Sequence, residues 1–499
     1  MLQAIYDGLM SVLTFQSLMF MTIGTLYGLL IGFLPGLGGI VAMALLLPFA
    51  FGYEPAAILS LLLGAHIGTI WGGTVTAILF KVPGSGKNLA SVFDGYPMAQ
   101  KGEATRALSA SCVAALMGGI VGAIFLAISI PFVRPIIFAL GPSEYLMMAL
   151  WGLTIIASFS DGSVVKGLIA ACFGILFAFV GMDPVTATPR YTFGMDTLLD
   201  GFHFPVAMIG MFAIPEMLKL FVQQTPISSS GAVEKRGQVW QGVKDVFIHW
   251  GLLVRASALG VWIGVLPGIG ANVGGIAAYA QAVQTSRHPE EFGKGSIEGV
   301  IAPDATLGAN EGGGLLPTLA FGIPGGEAMA ILLVAFVSIG IVPGPQMLTT
   351  QLDLVFGLVW IIILANLLIT IIGLIIAPYL SKLTRLDPNL VIPSVLIICF
   401  VAAYATDSRM DDVAIAGFFG ILGYFMEKYK YSRATFVIGM VLATMIERNL
   451  HLSLTLYGEW FIFTRPITTI MFALIVFTTC WPFYKKWRNS RAAVTPATR

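Results

Sequence analysis

The chain has 499 residues, of which 57% are hydrophobic and only 11% charged, and its formal net charge is +1 at pH 7. Because a soluble globular domain carries about 25% charged residues, this composition excludes a surface that faces water on all sides. The sequence has no basic stripe outside its short loops, so nothing indicates a nucleic acid partner. The mean hydropathy of +0.88 instead predicts that lipid is the main solvent of the chain.

Long apolar runs recur along the whole chain. A run of about 20 such residues spans a bilayer as a helix, and a helix pairs its own backbone N–H and C=O groups, as lipid requires. We therefore predict an all-α integral membrane protein with about 12 transmembrane helices. The first ten residues, MLQAIYDGLM, lack the basic region of a signal peptide, so the first apolar run is predicted to be a retained helix.

Glycine and proline form two clusters in the first half of the chain, residues 1–222. The first cluster is GFLPGLG at 32–38, and the second places Gly72-Gly73 about ten residues before Pro83-Gly84. Proline lacks an N–H and clashes with the preceding turn, while glycine frees the backbone and brings it close to a ligand. These clusters therefore predict helix interruptions at membrane depth.

A polar stretch, residues 223–249, is predicted to link this half to a second one at 250–484. The remaining residues, 485–499, form a basic tail. Basic residues next to a membrane helix stay on the cytoplasmic side, so the tail is predicted to be cytoplasmic from its charges Lys485, Lys486, Arg488 and Arg491.

The second half contains the same motifs in the same order. GVLPGIG at 264–270 matches GFLPGLG at 32–38, and Gly312-Gly313 is followed by Pro324-Gly325. We predict two homologous, inverted repeats with Pro/Gly-broken helices or re-entrant hairpins. The alternative is that glycine and proline are simply common in membrane helices.

Broken helices at equivalent places in two repeats indicate a central transport site. Half-helix N-termini face anionic groups, and unwound carbonyls hold cations such as Na⁺. We predict that backbone N–H groups and a few side chains bind a small anionic substrate, at Pro35, Gly36, Gly38, Gly39, Gly84, Ser85, Gly86, Lys87, Asn88, Pro267, Gly268, Gly270, Asn272, Pro324, Gly325 and Gly326.

The coupling ion, Na⁺ or H⁺, is predicted to bind beside the same loops, and no other metal or cofactor is expected. The residues predicted to hold it are Thr69, Thr74, Asn310 and Glu311. Further polar residues occupy the same regions: His66, Thr76, Asp304, Thr318 and Glu327. Ionisable groups at membrane depth are expensive and usually functional. The alternative for the glycines is that they only permit close helix packing.

Enzyme signatures are weak. The segment PGSGKN at 83–88 superficially resembles a phosphate loop, but Lys81 occupies the place of the first required glycine and Asn88 replaces the Ser/Thr. No acid/base pair, nucleophile or metal cluster stands out, so the chain is predicted not to be an enzyme. An intramembrane enzyme and a channel remain as alternatives, although paired broken repeats favour alternating access.

Several motifs resemble those of one known family, the large membrane permease of tripartite tricarboxylate transporters, the TctA type. The similar segments are Gly32–Gly39, the stretch from Pro83-Gly84 through FDGYPMA at 93–99, FGKGSIEGV at 292–300 and PTLAFGIPGG at 317–326. The resemblance extends over roughly residues 15–480.

The resemblance implies a three-part system in the bacterial inner membrane. A periplasmic solute-binding protein captures a carboxylate, a small four-helix membrane subunit accompanies the permease, and a Na⁺ or H⁺ gradient drives uptake. The sequence departs from the expected pattern at Lys81 and Lys87, beside the first Pro-Gly loop, and at Glu311 and Glu327, in the second half. The resemblance therefore does not imply that the carboxylate is citrate.

Overall fold

A computed structural model describes residues 1–34, 38–50, 52–158, 164–183, 187–223, 238–267, 270–344, 346–380 and 388–492. The described residues are mainly helical. The helices in chain order are α1 Leu2–Val12, α2 Phe15–Gly32, α3 Gly39–Leu46, α4 Pro55–Phe80, α5 Leu89–Gln100, α6 Ala104–Ala139, α7 Pro142–Ser158, α8 Val164–Ala178, α9 Phe204–Met208, α10 Ile214–Gln223, α11 Gln238–Ile248, α12 Trp250–Val265, α13 Gly270–Thr285, α14 Glu298–Phe321, α15 Glu327–Ser338, α16 Leu352–Leu380, α17 Pro388–Asp407, α18 Met410–Lys428, α19 Arg433–Tyr457, α20 Phe461–Thr464 and α21 Pro466–Ala492.

Short elements complete the fold. The strands β1 Gly181–Met182 and β2 Pro189–Arg190 pair antiparallel, with Gly181 opposite Arg190. A π-helical segment, Ile209–Ala213, joins α9 to α10. Short 3-10 helices lie at Leu47–Ala50, Gly86–Asn88, Asp196–Leu198 and Pro289–Glu291.

Within the described residues, five helices are long and apolar enough to cross a membrane: α2, α4, α6, α16 and α19. A sixth span exists if α11 and α12, which bend by 74° at their junction, form one broken span. An all-helical, multi-pass membrane architecture is therefore present. The total of about twelve spans stays a prediction, because several further apolar helices are shorter than a full span.

The chain divides into two compact units that interleave along the sequence. The first contains Met1–Arg134 and Phe204–Tyr424, and the second contains Pro135–His203 and Phe425–Arg499. In the second unit, α7 and α8 pack on α19, and α21 packs on α7. These compact units are a different division from the predicted halves, whose boundary at 223–249 stays a prediction.

Parts of the predicted linker and tail are helical. Gln238–Ile248 forms α11, and α21 continues to Ala492. The remaining linker residues, 224–237, and the end of the tail, 493–499, lie outside the described residues.

Two close helix pairs form the centre of the first unit: α2 on α4, and α12 on α14. The most apolar part of α4 is fully buried, and so is nearly all of α14. Glycines make the close approach possible. A Cβ at Gly28 of α2 would overlap the carbonyl oxygen of Ala65 and lie 2.7 Å from its carbonyl carbon. The two helices therefore meet backbone to backbone, as small residues permit in membrane proteins.

Helix ends coincide with both Leu-Pro-Gly segments. Helix α2 ends at Gly32 and α3 begins at Gly39, while α12 ends at Val265 and α13 begins at Gly270. Both new helices start on glycine, and Gly38, which caps α3, has an extended backbone. The N-termini of α3 and α13 therefore lie in the first unit, directly after the two segments where the sequence predicted helix breaks.

Candidate functional site

Three ionisable side chains meet inside the first unit. The Nε2 atom of His66 lies 3.1 Å from one carboxylate oxygen of Glu311, and the Nζ of Lys87 lies 3.7 Å from the other. The Lys87 Nζ is also 3.5 Å from His66 Nε2. His66 and Glu311 are only 1% and 2% exposed, respectively. Glu311 is therefore a buried carboxylate with two potential cationic partners, which offset the desolvation of its charge.

These side chains come from three elements that the helix pairs bring together. His66 lies in α4, Glu311 lies in α14, and Lys87 lies in the 3-10 helix Gly86–Asn88 that precedes α5. On α4, Gly73 leaves room for a neighbouring polar side chain, because a Cβ there would overlap Asn88 Oδ1. The histidine proton is assigned to Nε2 because that nitrogen faces the carboxylate.

The other histidine nitrogen faces the start of α3. A Cβ at Gly39 would overlap His66 Nδ1 and lie 2.7 Å from the Thr69 hydroxyl oxygen. In the described part of the chain, His66 Nδ1 is buried and makes no hydrogen bond. Only a glycine at the first position of α3 leaves the ring in its place against Glu311.

The α3 N-terminus also adjoins the loop before α5. Gly38 caps α3 in an extended conformation, and a Cβ on it would lie 3.6 Å from the Cβ of Ser85. On the opposite side, a Cβ at Gly275 of α13 would lie 3.1 Å from the carbonyl oxygen of Lys87. The loop that carries Ser85 and Lys87 is therefore in contact with the helices that follow both Leu-Pro-Gly segments.

A second polar network starts from the same loop. The Ser85 hydroxyl donates to Asn88 Oδ1 at 2.9 Å, and Asn88 Nδ2 donates to the Thr74 hydroxyl at 2.9 Å. Thr74 in turn donates to Asp304 Oδ1 at 2.8 Å, and Ser91 donates to Asp304 Oδ2 at 3.3 Å. This chain of hydrogen bonds connects the loop to a buried carboxylate in the N-terminal third of α14.

The two Pro-Gly loops make similar backbone contacts. The Gly84 N–H donates to the Gly73 carbonyl at 3.2 Å, and a Cβ at Gly84 would overlap the Gly73 Cα. A Cβ at Gly325 would lie 2.5 Å from the carbonyl oxygen of Gly314. Each contact joins the loop to the long helix that precedes it, and the two glycines are equally far apart in sequence in both pairs.

A hydroxyl fixes the second of these loops. Thr318 donates to the Gly314 carbonyl at 2.6 Å and accepts a hydrogen bond from the Gly325 N–H at 3.2 Å. Gly326, the cap of α15, has open space where a Cβ would stand.

The predicted site residues fall into three groups. One group forms the connected polar centre of the first unit: Gly38, Gly39, Thr74, Gly84, Ser85, Lys87, Asn88 and Glu311. A second group consists of two residues that adjoin this centre, Thr69, which donates to the His66 carbonyl, and Gly86, which lies between Ser85 and Lys87, and of five that show no contact with it in the part of the chain that the structure describes, namely Pro267, Asn310, Pro324, Gly325 and Gly326. A third lies outside the described residues, namely Pro35, Gly36 and Gly268, together with the side-chain surroundings of Gly270 and Asn272.

The structure connects three further residues to the predicted site residues: His66 and Asp304, which the sequence places in the same regions without assigning them as ligands, and Ser91. His66 and Asp304 are polar residues that the sequence places in apolar helices, and their burial is the signal that marks them. Ser91 carries no such signal, because a serine hydroxyl in a helix usually bonds its own backbone. Its part in the network follows only from the position of α5 against α14.

Adding a methyl group at Gly39 should disturb the site far more than adding one at Gly38. We expect Gly39→Ala to displace the His66 ring from Glu311 and to lower transport strongly, because the new Cβ would overlap His66 Nδ1. Gly38→Ala should retain most transport, because its Cβ would make an ordinary contact with Ser85. Uptake by the two variants at matched membrane expression measures this difference, and equal uptake would contradict the geometry.

Comparison with known proteins identifies a family and two relatives. Residues 18–438 match the Tripartite tricarboxylate transporter TctA family. The chain is 31% identical over 469 residues to an uncharacterized 52.8 kDa protein in the TAR-I ttuC' 3' region of Agrobacterium vitis, covering 94% of this chain and 93% of that protein. It is also 31% identical over 217 residues to an uncharacterized protein in the TAR-II ttuC' 3' region of the same organism, covering 43% of this chain and 90% of that protein. No solved structure matches the chain.

Proposed function

Because the chain belongs to the tripartite tricarboxylate transporter TctA family, we propose that it is the large membrane permease of a carboxylate uptake system. The family match over residues 18–438 is the observation that carries this proposal. The family is one of transporters, which favours transport over an intramembrane enzyme. The partners are a periplasmic solute-binding protein and a small four-helix membrane subunit, and the location is the bacterial inner membrane.

The substrate class follows from the chemistry of the polar centre. Lys87 offers a full positive charge, and the α3 N-terminus offers backbone N–H groups with about half a positive charge. Gly38 and Ser85 lie next to each other at this point, without large side chains between them. A small organic anion with two or more carboxylates matches a site built from such donors.

Glu311 gives the site a way to release its substrate. A substrate carboxylate would compete with the Glu311 carboxylate for Lys87, whose Nζ lies 3.7 Å from it. A fixed lysine without such a competitor would hold an anion tightly in a site shielded from water. The internal carboxylate therefore lowers the net affinity of Lys87 for substrate.

Two inverted repeats are the arrangement that we propose for alternating access. The supporting observations are the two helix pairs, α2 on α4 and α12 on α14, and the similar loop contacts of Gly84 and Gly325. In such a permease, one repeat moves against the other around a fixed site. A gradient of Na⁺ or H⁺ supplies the energy for uptake.

Transport in right-side-out membrane vesicles tests the proposal. The chain would be produced together with its proposed small membrane subunit and binding protein, and labelled citrate, succinate and tartrate would be supplied outside. We expect concentrative uptake of at least one of these anions, dependent on the binding protein and lost when Na⁺ and H⁺ gradients are both collapsed. Vesicles without this chain serve as the control.

Two outcomes would contradict a coupled permease. Equilibration of the anions without concentration, at rates independent of the binding protein, indicates a channel. Chemical conversion of an anion by membranes that contain the chain, without accumulation, indicates an enzyme.

A further inference from the structure

Asp304 is a second buried carboxylate in α14, and its surroundings differ from those of Glu311. It is 1% exposed, and its oxygens accept hydrogen bonds from the hydroxyls of Thr74 and Ser91. No cationic side chain pairs with Asp304 in the part of the chain that the structure describes. We propose that Asp304 is the centre of a sodium-binding site formed with Thr74 and Ser91.

Charge is the first reason for this assignment. An ionised carboxylate that is removed from water needs a compensating charge, and hydroxyl donors alone supply only part of it. Glu311 already has that compensation from Lys87, with His66 as a further partner. Asp304 lies seven residues earlier, about two helical turns or 10 Å along α14. The two carboxylates therefore have separate tasks, one facing the substrate cluster and the other a cation.

The available ligand atoms match a hard monovalent cation. Asp304 offers two carboxylate oxygens, while Thr74 and Ser91 each offer a hydroxyl oxygen from a different helix. All of these are oxygens, which hard cations prefer over nitrogen or sulfur. A single carboxylate balances one positive charge, so Na⁺ matches the site in charge and a divalent ion does not.

The Thr74 hydroxyl has the freedom that cation binding requires. Its oxygen lies 2.8 Å from Asp304 Oδ1 and 3.4 Å from the Ile70 carbonyl one turn earlier in α4. When a cation takes a lone pair of this oxygen, the proton can turn from the carboxylate to that carbonyl. A hydroxyl has two lone pairs, so the hydrogen bond from Asn88 Nδ2 is retained.

Asn88 connects this site to the proposed substrate loop. Its Nδ2 donates to the Ile70 carbonyl and to Thr74, and its Oδ1 accepts from Ser85. The neighbouring Lys87 contacts Glu311. A cation bound at Asp304 would thus fix the loop that meets the substrate. By thermodynamic linkage, substrate would strengthen cation binding by the same factor. This coupling role rests on the proposed function, whereas sodium binding itself does not.

The test uses the purified full-length chain in detergent without any carboxylate. Thermal unfolding is measured in NaCl and in KCl at equal ionic strength, together with binding of radioactive Na⁺. We expect stabilisation that rises with NaCl concentration and saturable binding of Na⁺, neither of them with K⁺, and Asp304→Asn should lose both. A ligand stabilises the state that binds it in proportion to the logarithm of its concentration above the dissociation constant.

Two matched variants keep the test decisive if Asp304→Asn fails to fold. Thr74→Val should weaken Na⁺ binding by about tenfold or more, since even the supporting groups of metal sites have effects of this size. Thr306→Val removes an equally buried hydroxyl of α14 that bonds the Ala256 carbonyl, and it should leave Na⁺ binding unchanged.

Several results would overturn the sodium site. The first is equal stabilisation by Na⁺ and K⁺, and the second is undiminished Na⁺ binding by Thr74→Val. The third is a thermal stability that changes with pH but not with Na⁺, which would assign a proton to Asp304. These results leave the vesicle experiment untouched. Conversely, Na⁺ binding by the purified chain together with absent carboxylate uptake would overturn the proposed function and retain the site.

Discussion

Replacing Glu311 with glutamine is expected to destabilise the protein by about 3–5 kcal/mol, the cost of breaking one partner out of a buried ion pair. The variant leaves the positive charge of Lys87 in a largely buried position, since the lysine side chain is only 19% exposed. It also removes the carboxylate that faces His66 Nε2. The midpoint of thermal unfolding in detergent should fall, and carboxylate uptake should be lost.

A second substitution separates stability from function. Lys87→Met in the Glu311→Gln background removes the uncompensated charge, so stability should recover substantially. Uptake should not recover, because the proposed contact for the substrate carboxylate is then absent. Recovery of both properties would show that the ion pair is structural only. Recovery of neither would show that the pair does not act as a unit.

Glu103→Gln provides the matched control. Glu103 pairs with Arg106 at 3.0 Å, one turn later, and both side chains are partly exposed. Arg106 also keeps a second partner, Asp245, at 2.6 Å. The Glu103 side chain is 24% exposed, whereas that of Glu311 is 3% exposed. An ion pair that water reaches contributes about 0–1 kcal/mol, so this variant should unfold close to the wild-type midpoint. A fall as large as that of Glu311→Gln would mean that burial does not explain the effect.

The sequence was most informative about local backbone behaviour. The two Leu-Pro-Gly segments predicted helix interruptions, and α3 and α13 begin just after them, at Gly39 and Gly270. Such signals are local, because proline and glycine act on their own and neighbouring residues. The apolar composition likewise predicted a helical membrane protein, and the family match and the long apolar helices support that class.

Contacts between side chains that are far apart in the chain could not be predicted from the sequence. His66 and Glu311 are both ionisable residues in apolar helices, where such residues are rare. Neither sequence segment indicates that the two side chains face each other. Their contact depends on how α4 and α14 lie within the first unit, which is a property of tertiary packing. The same holds for Thr74, which was predicted as a cation ligand together with Glu311: its hydrogen bond to Asp304 is a pairing that the sequence does not indicate.

Whether Lys87 can serve as a substrate ligand also depends on tertiary structure. Considered from sequence alone, a fixed positive charge such as that of Lys87 would hold an anion too tightly for release. The structure provides Glu311 as its counter-charge, and that objection then no longer applies. The glycines themselves remain ambiguous from sequence, since a ligand-facing glycine and a packing glycine look alike. Gly326 has open space around it, whereas Gly28 lies against the backbone of α4.

Two glycines in α12 allow a direct test of the packing role. A Cβ at Gly260 would overlap the carbonyl oxygen of Thr306 in α14 and lie 2.9 Å from its Cα, whereas a Cβ at Gly251 would meet no atom within 4 Å. Alanine is a better helix former than glycine by about 1 kcal/mol. Gly251→Ala should therefore keep or slightly raise stability, and Gly260→Ala should lower it despite that gain.

The loss of stability in Gly260→Ala is expected to be large, because the new Cβ would meet the backbone of Thr306, which cannot move aside as a flexible side chain can. Overpacking a tight interior costs about 1–3 kcal/mol and occasionally more, and separating α12 from α14 would also shift the helix that carries Glu311 and Asp304. We expect Gly260→Ala to give little monodisperse protein after detergent extraction and to abolish uptake, while Gly251→Ala matches the wild type in both. Similar yields and similar uptake for the two variants would show that the backbone contact between α12 and α14 is not what holds this part of the first unit together.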